Sequence, residues 1–338
     1  MKPRRRSVVL VTLLVLLAVI GGLMRWASRP QQVGSLVLSQ ASRASGLRIT
    51  ARGVTEYQLR GVPRLVLRDV VAQRDGDAVP VMRARRIALA LPWSTLRSRG
   101  RNLDIHHVAL DSPQLDIGAL QRWLATRPDT GPTRVPGLSH GLAARDARVL
   151  GDGWSVEGLD VDVPMLAPGH PVRAHLRGRA IAATTTLPFD LHATLARPAA
   201  HAGLGVAGHL DVVRSDWQLA LDLQLQGRPD LANGLVLEGM RLGADARYVA
   251  GETRIPFAIG LAGRAAYHAG LSLSPVSLAL RDGDAIADTD AHGAVSWGRL
   301  LVFQLDGQIA HWPRSWPALP PPINRPPGPL PFADRKNT

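Results

Sequence analysis

The chain has 338 residues, a formal net charge of +13 and no cysteine. Lack of cysteine excludes disulfide-stapled folds, thiolate catalysis and iron–sulfur centres. Its length is enough for one large or two ordinary domains. Apart from Lys2 and Lys336 the basic residues are arginines scattered along the chain, unlike the concentrated basic patch of a nucleic-acid-binding protein. We therefore expect no nucleic-acid partner.

A basic cluster precedes an apolar run at the N-terminus. Arg4, Arg5 and Arg6 are followed by Val8–Met24, which only Thr12 and two glycines interrupt. A helix of about 18 residues spans roughly 27 Å, close to the thickness of a bilayer's hydrocarbon core. Because basic residues stay on the cytoplasmic side, we expect residues 1–30 to form a cytoplasmic tip and a single-pass inner-membrane anchor, with the remainder in the periplasm.

A cleaved signal peptide is the alternative to an anchor. The strongest apolar stretch, Val8–Ile20, has the length of a signal-peptide core. An A-x-A-like cleavage site is missing, because cleavage after Ser28 would put Trp26 at position −3, and cleavage after Gly22 would put Ile20 there. The sequence favours the anchor and leaves cleavage open.

Residues 31–127 combine short helical patterns with the period-two alternation of β-strands. Gly34–Ala44, Trp93–Ser98 and Ala119–Thr126 are the helical patterns. Apolar residues two apart mark the strands, namely Leu65 and Leu67, then Ile87, Leu89 and Leu91, then Leu103 and Ile105.

Residues 137–311 read as a succession of antiparallel strands. The alternation is clearest at Leu219, Leu221, Leu223 and Leu225, which are separated by small or polar residues. Glycines and Asp-Gly turns punctuate the other segments. The predicted strands are Val172–Ala183, Phe189–Leu195, Leu204–Val213, Leu235–Val249, Phe257–Tyr267, Leu271–Leu280 and Val295–Ile309.

Proline-rich stretches flank this β region. Arg127–Pro136 indicates a domain boundary, and residues 312–338 form a tail with nine prolines between Trp312 and Pro331. So many prolines are incompatible with a helix or a central strand, so a polyproline-type extension is expected. Two readings stay open: a solvated tail, or a segment that binds an envelope or secretion protein through its tryptophans.

The region from the anchor to about Ile117 resembles the N-terminal region of AsmA-like proteins, the bacterial relatives of bridge-like lipid-transfer proteins. After the membrane helix and the short helix, the matching segments are Gly46–Thr50, Gly61–Val70, Met82–Leu91 and a hairpin from Leu103–Ile105 to Asp111–Ile117. The resemblance covers about a third of the chain and includes no catalytic motif. It implies a periplasmic curled β-sheet with an apolar concave face, acting in phospholipid transport or outer-membrane maintenance.

The chain is shorter than typical members of that family. About 16 strands at roughly 4.8 Å spacing would extend 75–80 Å, which favours a partial or partner-dependent conduit over a complete bridge between two membranes. The type II secretion N component, a short anchored periplasmic β protein, is similar at this level. It is the alternative, together with a periplasmic scaffold.

Enzyme motifs are weak or missing. Gly203–Gly208 spells G-x-G-x-x-G, but strand-like residues follow it where the dinucleotide fingerprint needs a helix. His106 and His107 are adjacent, so a strand would point them to opposite faces. H-E-x-x-H does not occur, and the strand-rich pattern is not the α/β pattern in which a serine-hydrolase nucleophile elbow is found. We expect no enzymatic activity, cofactor or metal.

The prediction is thus a mainly β protein: an N-terminal transmembrane helix followed by a long, curled, mostly antiparallel sheet with a few short helices. A sheet with one aliphatic face must cover it with another layer or with a guest. Phospholipid acyl chains are the expected guest. The candidate groove residues are Ile87, Leu89, Leu91, Leu219, Leu221, Leu223 and Leu225.

Overall fold

The structure is a computed structural model that describes residues 38–58 (without 40 and 44), 63–90, 92, 105–126, 137–197, 202–230, 235–267, 270–281, 289–297, 301–309 and 330–331. The predicted anchor Val8–Met24, the helical pattern Trp93–Ser98, the boundary Arg127–Pro136 and, except for residues 330–331, the proline-rich tail 312–338 lie outside these residues. Over the described ranges, no helix combines the length and the apolarity that crossing a membrane requires.

The described chain is mainly β, as predicted, and its strands form one open sheet. Residues 38–39, 41–43 and 45 are helical and precede the first strand. The further elements are β1 Arg48–Thr50, β2 Gly53–Gln58, β3 Arg64–Gln73, β4 Met82–Ala90, β5 His107–Asp116, α1 Ile117–Thr126, β6 Leu142–Leu150, β7 Trp154–Val163, β8 Val172–Ala182, β9 Thr185–Leu195, β10 Leu204–Val213, β11 Gln218–Asp230, β12 Leu235–Ala250, β13 Thr253–Tyr267, β14 Leu271–Arg281, β15 Thr289–Trp297, β16 Leu301–Ile309 and β17 Leu330–Pro331.

Strand order follows chain order. β1 and β2 both pair with β3, and from β3 onward each strand pairs with the next as far as β17. All pairs are antiparallel except β5–β6, which is parallel. A parallel pair requires a crossover connection, and α1 lies in the connection between these two strands.

Two details of the strand prediction were wrong. Residues 107–116 form the single strand β5, so Asp111–Ile117 is not the second strand of a hairpin, as was predicted; Leu103 and Asp104 lie outside the described residues. The predicted segment Val295–Ile309 is divided between β15 and β16, which end and begin at Trp297 and Leu301. Gly298 in the sequence is a turn signal, but the apolar alternation on both sides of it made the segment resemble one strand.

The densest core lies at the N-terminal end of the sheet. Leu65, Leu67 and Val70 of β3 are at most 2% exposed. They pack with Ile87 of β4, and Leu38 of the first helical segment packs against them. A second cluster joins β3 and the adjoining loop residues to α1, whose Ala119 is fully buried. The helical segments therefore cover one face of β3–β5.

Residues with left-handed backbone recur across the N-terminal half of the sheet: Asp69, Ser112, Asp146 and Gly158 have φ angles of 49°, 47°, 50° and 56°. The strand register shifts beside Asp146 and Gly158, which marks bulges in β6 and β7. Further register shifts occur in the pairings from β11 to β15. Bulges bend strands and increase their twist, so they provide places at which the sheet changes direction.

Candidate functional site

The four predicted leucines of β11 share one face of the sheet. Leu219, Leu221, Leu223 and Leu225 alternate with exposed Asp222 and Gln224, which are on the other face, and all four leucines are half-buried. Their spacing of two residues places them in a row. This row is the centre of the aliphatic face.

The aliphatic face continues through the neighbouring strands, because residues directly opposite each other in a sheet point to the same side. Leu221, for example, is opposite Leu210 of β10 and Ala246 of β12. Following the register in both directions gives almost entirely apolar or small residues. They include Val161 on β7, Leu176 on β8, Phe189, Leu191 and Leu195 on β9, Val206 and Val212 on β10, Leu242 and Tyr248 on β12, Ile255, Phe257, Ile259 and Leu261 on β13, Val276, Leu278 and Leu280 on β14, and Leu305 on β16.

The opposite face carries the charges, and we call it the charged face. Ion pairs link neighbouring strands across it, joining Arg86 to Asp111 at 3.0 Å, Arg148 and Arg179 to Glu157 at 3.4 and 3.5 Å, His209 to Asp222 at 3.0 Å, and Arg264 to Glu238 at 2.6 Å. These side chains are partly exposed, so each pair adds little stability. Their effect is to make this face the water-facing one.

Two groups on the charged face titrate abnormally. A hydrogen bond with His175 lowers the pKa of Asp190, and the charges of His175, Arg177 and His192 act in the same direction against a smaller effect of burial. A hydrogen bond with Asp222 raises the pKa of His209, with desolvation opposing and the Asp211 carboxylate assisting. Both shifts favour the charged form of the group.

The sheet curls toward the aliphatic face. Trp154 at the start of β7 is opposite Ala182, and Tyr267 at the end of β13 is opposite Leu235. In this register both aromatic rings project from the aliphatic face. The indole Nε1 donates a hydrogen bond of 2.8 Å to the Tyr267 hydroxyl, and the rings meet edge to face at 5.9 Å between centroids. Six strand spacings in a flat sheet are roughly 29 Å. Contact over that distance requires the aliphatic face to be the inner one.

The helix α1 lies at the same meeting point. Its N-terminus is capped by Asp116, whose Oδ1 accepts a hydrogen bond of 2.7 Å from the Ala119 amide. Gln121 donates to the carbonyl oxygen of Tyr267 at 3.0 Å, and Trp123 donates to that of Ser45 at 2.9 Å. One helix thus joins β13 to the N-terminal core and, beside the Trp154–Tyr267 contact, closes this side of the curl.

The predicted site residues fall into two environments. Ile87 is 9% exposed and belongs to the N-terminal core, and Leu89 packs against that core. Leu91 lies outside the described residues. The β11 leucines are half-buried instead. Both clusters of buried residues in the described chain involve β1–β5, α1 and their adjoining segments. The β11 row belongs to neither cluster, although Ala246 and Ala244, which are opposite Leu221 and Leu223 on β12, are buried.

The glycine motif of β10 has a packing role. A Cβ on Gly208 would lie 2.2 Å from the carbonyl oxygen of Asp190 on β9, and the glycine has a φ of 149°. The strand β10 runs from Leu204 to Val213 through the motif, where a dinucleotide-binding turn would begin a helix. Sequence reasoning did not anticipate the Trp154–Tyr267 contact, because 113 residues separate the partners.

Metal-ligating side chains converge at one place in the described residues. His175, Asp190 and His192 each offer a ligand atom within 4.8 Å of the other two. Comparison with known proteins adds no further assignment: no protein-family model, curated protein or solved structure matches the chain.

Proposed function

We propose that this chain is an AsmA-like protein, anchored in the inner membrane, whose periplasmic sheet holds phospholipid acyl chains on its aliphatic face. Its role is phospholipid transport or maintenance of the outer membrane. The observation that carries the proposal is the inward-curled aliphatic face, continuous across β7–β14 and centred on half-buried leucines of β11.

The hydrophobic effect supplies the driving force. Removing apolar surface from water is worth about 25 cal/mol per Å², and the half-buried leucines retain surface that an acyl chain can cover. The acyl chain gains equally, because it leaves water together with the protein surface. A phosphate head group stays at the open side of the curl, since burying a charge without a partner is costly.

The N-terminal core gives this surface a rigid end. Helical residues cover β3–β5, so Ile87 and Leu89 pack against protein. The acyl-binding part of the proposal therefore rests on Leu219, Leu221, Leu223 and Leu225. The charged face is on the outside and is solvated by water. The aliphatic face is on the inside and binds the lipid. No bond is made or broken in this mechanism.

Native mass spectrometry tests the proposal. The full-length protein is purified in a mild detergent and released from it in the gas phase. The expected spectrum contains adducts with the masses of phospholipids, bound in stoichiometric amounts. Lipids extracted from the same sample identify the class. The variant Leu221→Asp, which places a carboxylate on the aliphatic face of β11, should lose the adducts. Its matched control is Gln224→Asp, which places a carboxylate on the charged face of the same strand and should keep them.

A folded protein without phospholipid would contradict the proposal. In that case the aliphatic face packs on protein, and a scaffold or a secretion component similar to the type II N protein becomes the better account. Co-purifying secretion proteins, identified by mass spectrometry of the same preparation, would separate these two.

A further inference from the structure

Two histidines and an aspartate stand together on the charged face of β8 and β9. His175 is directly opposite His192 in the register, and Asp190 precedes His192 by two residues on the same strand. Residues so related project from one face. His175 Nε2 is 2.6 Å from Asp190 Oδ1, and the two imidazole rings are stacked with centroids 4.5 Å apart.

Two imidazole nitrogens and one carboxylate oxygen form a donor set for divalent zinc, copper or nickel. Ligand atoms about 2.0–2.1 Å from a tetrahedral zinc ion are roughly 3.3 Å from one another. The ligand atoms here already lie within 4.8 Å, so side-chain rotations without movement of the strands can close the site. Partial exposure of His175 and Asp190 leaves room for that rotation and for an open coordination position.

The electrostatic surroundings act in both directions. Asp162 on β7 is opposite His175 and adds a second carboxylate beside the group, whereas Arg177 on β8 is opposite Asp190 and opposes a dication. His209 on β10 is also directly opposite Asp190, so the case for a bound metal ion rests on the identity and spacing of the donor atoms.

We propose that His175, Asp190 and His192 bind a divalent transition-metal ion, with Zn²⁺ as the expected occupant, and thereby cross-link β8 to β9. This inference is independent of the lipid proposal, because the three side chains are on the charged face. Sequence reasoning missed the group since the histidines are 17 residues apart and become neighbours only through the strand register.

The test is a zinc titration of the full-length protein in detergent, without a histidine tag, in competition with a chromophoric chelator. We expect one site per chain, and at least a tenfold loss of affinity for each of His175→Ala and His192→Ala. His170→Ala is the matched control, because His170 is an exposed histidine whose ring contacts the carbonyl oxygen of Pro168 and lies outside the group. Its zinc affinity should equal that of the original protein.

Cobalt provides a second readout that reports ligand identity. Co²⁺ bound by the group should give visible absorption bands that shift or vanish in Asp190→Asn. Circular dichroism verifies that each variant is folded, which is expected because all three side chains are at the surface. Zinc binding that is absent from the original protein, or that persists at full affinity in both histidine variants, would overturn the proposal.

Discussion

A carboxylate placed in the middle of the β11 row should weaken lipid binding at least about tenfold without unfolding the protein. In the variant Leu221→Asp the new charge points to the aliphatic face, opposite Leu210 and Ala246. Full burial of a leucine is worth about 1.5–3 kcal/mol. Because Leu221 is half-buried, the lipid-free protein should lose on the order of 1–2 kcal/mol.

The lipid-bound state should lose more. An aspartate in a hydrocarbon environment costs about 2.5–3.5 kcal/mol, and 1.4 kcal/mol corresponds to a factor of ten in affinity. If the lipid removes all water from the aspartate side chain, lipid binding should weaken roughly 150-fold, and if the side chain keeps half of its hydration, binding should weaken roughly tenfold. Leu65→Ala is the core comparison: that leucine is 1% exposed, and such a truncation costs about 2–5 kcal/mol of folding free energy.

Two assays separate these effects. Binding of a phospholipid with a fluorescent acyl chain gives the affinity, and urea unfolding followed by circular dichroism gives the stability. Gln224→Asp introduces the same charge on the opposite face of the same strand, so it should change neither quantity by much. Failure of Leu221→Asp to fold would identify Leu221 as a core residue, and a folded variant with unchanged lipid affinity would show that acyl chains do not contact this row; either result contradicts lipid binding at Leu221.

Three further changes test the geometry of the sheet and its helix. Gly208→Ala should destabilise the protein by more than about 2 kcal/mol in urea unfolding, because the added methyl group meets the carbonyl oxygen of the neighbouring strand; an unchanged midpoint would mean that the strands are further apart than described. Asp116→Ala should cost about 0.5–2 kcal/mol by loss of the helix cap of α1, and an equal loss in Asp116→Asn would show that the cap is unimportant, since asparagine also caps. For His209, whose pKa is raised by its hydrogen bond with Asp222, the stabilising effect is fully present below the unfolded value near 6.5 and is lost as the pH rises through the folded value. His209→Ala should therefore reduce stability at pH 5.5 more than at pH 8.5, and a reduction independent of pH would contradict the pairing.

The sequence was sufficient to predict most of the strands after β7 and the face on which the β11 leucines lie. Side chains two apart share a face of a strand, so the alternation around Leu221 determines its local environment without any tertiary knowledge. The helix ending at Thr126 was found from its apolar spacing for the same reason. The parallel pair β5–β6 was missed, because local alternation carries no information about the direction of the neighbouring strand.

The curl of the sheet, the N-terminal core and the group formed by His175, Asp190 and His192 all depend on contacts between residues that are distant in the sequence. Trp154 and Tyr267 come into contact because of the combined twist and bend over six strand spacings. No local sequence pattern determines that combined curvature. Ile87 has the same alternation as Leu221, yet helical residues cover its strand and make it core. Hydrophobic periodicity identifies the apolar face but not the partner that covers it. His175 and His192 were overlooked for a related reason, because register alone makes them neighbours.

The most direct test of the central claim is photo-crosslinking in living cells. A benzophenone amino acid replaces Leu221 in one protein and Gln224 in another, and the cells are irradiated before the protein is purified. If acyl chains lie on the aliphatic face, covalent phospholipid adducts form at position 221 and none form above background at position 224. Equal labelling at the two positions, or no lipid at position 221 in a folded protein, would contradict the claim that the aliphatic face holds acyl chains.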